Sequence, residues 1–334
     1  MVSALWADDP FRVGIIGMDS SHCVAFTRII HHEDASDTLK QLRVTTAFPG
    51  GSPDIEGNAE KIAKYTIELK KMGIAIVDSI PALLKKVDGV MIESVDGRPH
   101  LEQVIPVFQA GKRVFIDKPL AGTLADAIVI ERLGRHYRTP WFSSSSLRFA
   151  PDTLALRIES KKTGKLYAAE AWSPSPTEAH HPDLFWYGIH GVEALFTMMG
   201  PGVSHLVRTS SEHTDLVTGT WNDGRIGTFR GLKPPAKRGY GGMAYGSKAI
   251  VPAGGFAGYE PLVEEIAAFF LGGDIPVDHA ETIDIMAFME AADESKRREG
   301  EIVQIRDVKR KAERAAQQYL DKLELPKKNA GASR

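Results

Sequence analysis

Apolar positions in the first half of the chain recur in short runs, separated by stretches with helical spacing. Val13-Gly14-Ile15-Ile16-Gly17 is an apolar run ending in glycine, and a helical stretch follows to about His32. Leu42 to Phe48, Ile74 to Val77, Val90 to Ile92 and Val114 to Ile116 read as four more strands. Trp141 and Phe142 open a sixth, which runs into Ser143 to Ser146. Between the fourth and fifth, Leu101, Val104, Ile105 and Phe108 share one helical face, and Gly111 follows as a stop. Strands alternating with helices predict an α/β Rossmann-type, doubly wound parallel sheet over residues 11–147.

After Pro151 the pattern changes. A helix is predicted from Asp152 to Lys161, then strands over Leu166 to Trp172, Val203 to Thr209, Leu216 to Trp221 and Ile226 to Arg230. Asn222-Asp223-Gly224 is a hairpin signal between the last two. Successive hairpins predict a C-terminal α+β domain with a mainly antiparallel sheet over 148–307. Two amphipathic helices follow, one with Leu262, Ile266, Phe269 and Phe270 on a single face. A helical tail over 308–334 repeats Ala312, Ala315, Tyr319, Leu320 and Leu323 and is expected to fray at its polar end.

Composition narrows the function classes. The 334 residues are enough for about two domains, and 43% hydrophobic with 25% charged residues suits packed cores. A net charge of −2 leaves no electrostatic footprint for nucleic acid or anionic lipid. Cys23 is the single cysteine, which excludes a disulfide scaffold or a thiolate zinc site. Met1 to Pro10 lacks the apolar run of a signal peptide. No stretch reaches the roughly 18 apolar residues of a membrane span. The expectation is a cytoplasmic protein with small-molecule partners, neither nucleic acid nor membrane. An open sheet face in the second domain would suit a homodimer or tetramer.

The turn after the first strand reads Gly17-Met18-Asp19-Ser20-Ser21-His22. A dinucleotide fingerprint needs G-x-G-x-x-G, and only Gly17 is in register: Asp19 and His22 hold the other glycine positions. A helix N-terminus there still offers free N–H groups to a phosphate; alternatively, Asp19 or Ser20 is simply the helix cap. The end of the second strand lacks the acidic residue that holds the ribose of NAD. Gly50-Gly51-Ser52 stands there, as a turn or as a seat for the 2′-phosphate of NADP.

Glu93 to His100 and Asp117-Lys118-Pro119 follow the fourth and fifth strands, at the edge where open α/β sheets place ligands. Lys118 reads either as a proton-transfer group or as a structural ion pair. His180, His181, Asp183, Trp186 and Tyr187 lead into His190; the cluster reads as a substrate wall, a structural loop or a metal site. The substrate wall is preferred, with no metal. Arg98, Arg148 and the serine run are added as pocket groups, whereas Cys23 is expected to be buried.

Leu101-Glu102-Gln103 through Ala110-Gly111-Lys112 and Asp117-Lys118-Pro119-Leu120-Ala121 resemble the glucose–fructose oxidoreductase/inositol dehydrogenase (Gfo/Idh/MocA) family. So do Leu147 to Pro151, Gly188-Ile189-His190, Tyr245-Gly246-Ser247 and Ala291 to Ser295. The resemblance implies a nicotinamide cofactor, NAD or NADP, between two domains, with sugars or polyols as substrates. Lys118 and His190 match the family's catalytic lysine and histidine, and Gly17 to His22, Glu93, Asp117 and Lys118 would border the cofactor. Asp117 replaces the usual glutamate, Trp186 an aspartate, and Glu193 another aspartate. The implied activity is an NAD(P)-dependent oxidoreductase acting on a secondary alcohol. Two alternatives remain: a carbohydrate-binding or assembly module without dinucleotide, or redox-assisted elimination or hydrolysis with retained NAD.

Overall fold

The computed structural model describes residues 9–157 and 161–323. Six parallel strands form the first sheet: β1 (Phe11–Ile16), β2 (Leu42–Phe48), β3 (Ala75–Ile76), β4 (Gly89–Ile92), β5 (Val114–Asp117) and β6 (Trp141–Ser144). Their order is β3-β2-β1-β4-β5-β6, a Rossmann arrangement with a topological switch between β1 and β4. Helices α1 (His22–Ile30), α2 (Asn58–Lys71), α3 (Ile80–Leu84), α4 (His100–Gln109) and α5 (Leu124–Tyr137) make the crossovers. β4 and β5 are buried along their whole length, as expected for strands covered on both faces.

The second half contributes α6 (Pro151–Leu154), β7 (Leu166–Pro174), α7 (Asp183–Trp186) and α8 (Ile189–Met199), then β8 (Val203–Ser210), β9 (Thr214–Trp221) and β10 (Ile226–Leu232). β11 (Gly241–Gly246), β12 (Ile250–Ala253), α9 (Glu260–Phe270), α10 (His279–Arg297), β13 (Val303–Gln304) and α11 (Ile305–Lys322) complete it. The seven-stranded sheet runs β12-β11-β7-β10-β9-β8-β13; only β7 and β10 pair in parallel. Gly224, at φ 85°, closes the expected hairpin between β9 and β10.

Three expectations are revised. The helix predicted to Lys161 ends at Leu154; among the described residues of that stretch only Thr153 and Leu156 are buried, too few for an apolar face, and residues 158–160 lie outside the described residues. The tail helix begins at Ile305 and docks on α5 through Ala312 and Ala316, so it packs against the first domain. The polar end beyond 323 lies outside the described residues. α9 also joins the first domain, where Phe269 meets Phe142 at 5.0 Å and Phe270 stacks on Phe11 at 5.5 Å. Among the described residues no helix is long and apolar enough to cross a membrane.

Candidate active site

A cavity of about 450 Å³ opens at the carboxyl ends of β1 and β5, between the first sheet and α8. Ser20, Ser21 and His22 line it where α1 begins, and Lys118 lines it just after β5. Tyr187 and His190 form the facing wall. Lys118 is 5% exposed; its backbone N–H donates to Asp117 Oδ1 at 2.8 Å, and its Nζ lies 5.6 Å from the Tyr187 ring centre. Among the described residues its ammonium forms no close ion pair, while its charge favours the ionised forms of the buried Glu93 and Asp117 carboxyls.

His190 sits in the first turn of α8, and its Nδ1 lies 2.8 Å from Ser145 Oγ. Its ring is 4.9 Å from that of Tyr187 and 6.0 Å from that of Tyr240. Burial, reinforced by the charge of Lys118, holds the imidazole well below its usual range. A neutral histidine and a cationic lysine therefore border one space, with Tyr187 between them. Within the serine run, Ser145 holds His190 and Ser144 Oγ donates to Glu193 at 2.9 Å, while Ser146 lines the cavity itself.

The turn after β1 shows how the altered fingerprint folds. Gly17 has φ 93°, and an added Cβ would come within 2.4 Å of Ser94 N, so glycine is required there. Asp19 points sideways: Oδ1 accepts from Val95 N–H at 3.0 Å and Oδ2 from the Asn58 amide at 2.9 Å. Burial raises its carboxyl above the ordinary range, against the pull of the Val95 N–H. Both carboxylate oxygens are thus engaged, although Asp19 still lines the cavity; at the start of α1 the His22 N–H donates to Ser20 Oγ at 3.1 Å, and the N–H groups of a helix's first turn suit a phosphate.

The segment between β2 and α2 is drawn down onto this turn. Met18 N–H donates to Pro49 O at 2.6 Å, and Ser52 Oγ donates to Asp96 Oδ2 at 2.5 Å. Arg98 clamps Asp54 at 2.8 Å and Asp96 at 2.6 Å. These bonds close the strand ends where the ribose of a dinucleotide's adenosine half would sit. The start of α1, Lys118 and His190 would hold the phosphate and nicotinamide end of the cofactor, and residues 49–58 lie at the end of β2, where its adenosine end would sit.

Several residues read as pocket groups take other partners. Arg98 serves the clamp just described. Arg148 is 1% exposed, paired with Glu193 at 2.6 Å and Glu281 at 2.7 Å. Asp183 binds Arg208 at 2.8 Å and Lys296 at 2.5 Å. His180 is exposed beside Glu178, and His181 is buried 3.3 Å from Asp96 with Trp186 packed at 5.3 Å. His100 does not face the cleft; its ring nitrogens lie 3.0 Å from Pro119 O and Ser94 O. Cys23 is buried as expected, and burial pushes its thiol strongly up. Of the histidine-rich stretch, Tyr187 and His190 reach the cavity.

The reading of the sequence missed Lys61, Tyr65, Tyr240, Phe256 and Tyr259, which also line the cavity. The last three stand in glycine-rich segments, Gly239-Tyr240-Gly241 and Gly254 to Tyr259, where isolated aromatics are the available signal.

Residues 11–136 match the family model described as "Oxidoreductase family, NAD-binding Rossmann fold". The N-terminal domain belongs to the Gfo/Idh/MocA family. Across both domains the fold is that of solved structures in which NAD is bound. Scyllo-inositol dehydrogenase from Lactobacillus casei with NAD(H) and scyllo-inositol is 13% identical at TM-score 0.69, covering 89% of this chain and 99% of its own. Myo-inositol dehydrogenase from the same organism, with NAD(H) and myo-inositol, is 14% identical at TM-score 0.70, covering 88% and 96%. GenD2 from gentamicin A biosynthesis in complex with NAD is 14% identical at TM-score 0.72, covering 89% and 96%. Identity this low establishes the shared fold. No curated protein matches the chain.

Proposed function

We propose that the protein is an NAD(P)-dependent oxidoreductase acting on a secondary alcohol of a sugar- or polyol-like substrate. The observation that carries this reading is the pairing of Lys118 and neutral His190 across one cavity, beside the open start of α1. When bound, a nicotinamide ring supplies the acceptor for the carbinol hydride. Lys118 Nζ holds the substrate oxygen, and His190 takes up the hydroxyl proton on the ring nitrogen turned away from Ser145. Tyr187, Tyr240 and Tyr259 give the site apolar faces for ring C–H groups and polar tips for hydroxyls. A screen of sugars and polyols for nicotinamide absorbance change tests this: one that yields turnover depending on His190 supports it, and turnover indifferent to His190→Ala overturns the assignment of the base.

A second reading, a carbohydrate-binding module without dinucleotide, is favoured by one observation: the 49–58 segment tied onto the turn by Asp19, Ser52 and Arg98. Asp19→Gly restores the fingerprint glycine and releases Asn58. If the segment only gates the site, the variant should bind dinucleotide about tenfold more tightly, since a populated competent state raises apparent affinity in proportion. Calorimetry on the two proteins decides it. Unchanged affinity contradicts gating.

The open face of the second sheet is proposed as the contact between two copies of the chain. Ile250, Tyr245, Ala168 and Ile226 lie in one cross-strand row, with Ile250 66% and Ile226 49% exposed. Light scattering should give a dimer or larger for the natural chain and a smaller species for Ile226→Lys; equal masses would exclude this face.

A further inference from the structure

We propose that His22, Glu93 and Asp117 form a binding site for one first-row divalent cation, of the zinc or manganese class, beneath the cavity. The three residues stand at the start of α1, just after β4 and at the end of β5, and each presents one donor atom, all within 4.8 Å of one another. His22 Nδ1 is 2.6 Å from Asp117 Oδ2 and 4.0 Å from Glu93 Oε2. Donors bound at about 2.0–2.2 Å to one metal stand roughly 3–3.6 Å apart. The observed spacings straddle that range, so modest side-chain movement completes the site.

The second observation is Glu93 itself. It is 0% exposed, and neither Oε1 nor Oε2 has a hydrogen-bond partner among the described residues. A buried carboxylate without donors is costly unless it is paired or coordinated to a metal. The three side chains are also held as ligands are. His22 stacks on Phe26 at 5.0 Å and meets the edge of Tyr259 at 4.8 Å, which fixes the ring plane. Asp117 Oδ1 accepts the Lys118 N–H, leaving Oδ2 turned to His22. One imidazole and two carboxylates suit zinc or manganese, and the two negative charges balance one dication. His22 borders the cavity, so the cation's open position is on the ligand side, where a hydroxyl or phosphate oxygen can complete the shell.

The site adjoins the start of α1 proposed for the dinucleotide, so its test is run without any dinucleotide present. Full-length protein is stripped with chelator and titrated by calorimetry with zinc chloride and manganese chloride. The expected result is one equivalent bound for at least one of the two, with a raised melting temperature. X-ray absorption of the loaded protein should show mixed nitrogen and oxygen ligands. Glu93→Gln should weaken binding at least tenfold while the metal-free variant melts no lower than metal-free wild type, since a buried unpaired charge is removed. Asp117→Asn provides the second variant, with the same loss expected. Cation binding that survives both substitutions is adventitious and overturns the proposal. So does the absence of binding at millimolar cation, together with an infrared band of a protonated carboxyl that Glu93→Gln removes: a proton then neutralises Glu93.

Discussion

Lys118→Met should lower turnover by about 10²–10⁴-fold, the usual worth of positioned acid–base help, and leave the melting temperature near that of wild type. Among the described residues the ammonium lines the cavity and forms no close ion pair; what the fold loses with it is its attraction for the buried Glu93 and Asp117 carboxyls. Methionine keeps the length of the stem and its packing near Tyr187. A structural lysine would give the reverse, a lower melting temperature with nearly full turnover per folded molecule. Measuring both quantities on one preparation separates the two, and near wild-type turnover would show that Lys118 takes no part in the chemistry.

Arg148→Met is expected to be a stability variant, costing about 3–5 kcal/mol, because it strands the buried Glu193 without a counter-ion, while Glu281 keeps Arg157 at 3.1 Å. Glu193 and Glu281 are 3% exposed, and Arg148 lies between them at 2.6 and 2.7 Å. Glu193 also accepts from Ser144, so the loss should spread to the serine run that orients His190. Urea unfolding gives the magnitude. A variant as stable as wild type would return Arg148 to the role first read from its position, a group that meets substrate.

The parallel sheet was legible because buried strands such as Val114 to Ile116 are continuous apolar runs, and glycine marks their ends. β11 was not, because its form is imposed by a neighbour. An added Cβ on Gly241 would strike Trp172 at 2.4 Å, and one on Gly242 the Glu170 carbonyl at 2.5 Å. Such a strand needs small residues rather than alternating apolar ones. Lys118 and His190 were legible from strand-end position and family likeness, and the structure brings both to one cavity. Arg148 and Asp183 misled because a charge in a cleft-side segment advertises itself, while the residue that neutralises it stands far along the chain; Arg98 is held by neighbouring Asp96 and by the more distant Asp54. For Arg148 that partner, Glu281, is in α10. Tyr240 and Tyr259 failed to register for a related reason: what makes them wall residues is the fold of the loops, not their local pattern.

The central claim is that the cleft takes a nicotinamide dinucleotide at the start of α1. It is tested most directly by calorimetric titration of the full chain with NAD, NADH, NADP and NADPH. The protein is first shown by mass spectrometry of its denatured supernatant to carry no retained nucleotide, and the titration is run both with chelator and with added zinc. The account predicts saturable binding of at least one of the four at one equivalent per chain. No heat from any of them at millimolar concentration, in either condition, would contradict it and leave the cleft as a carbohydrate-binding site closed to dinucleotides by residues 49–58.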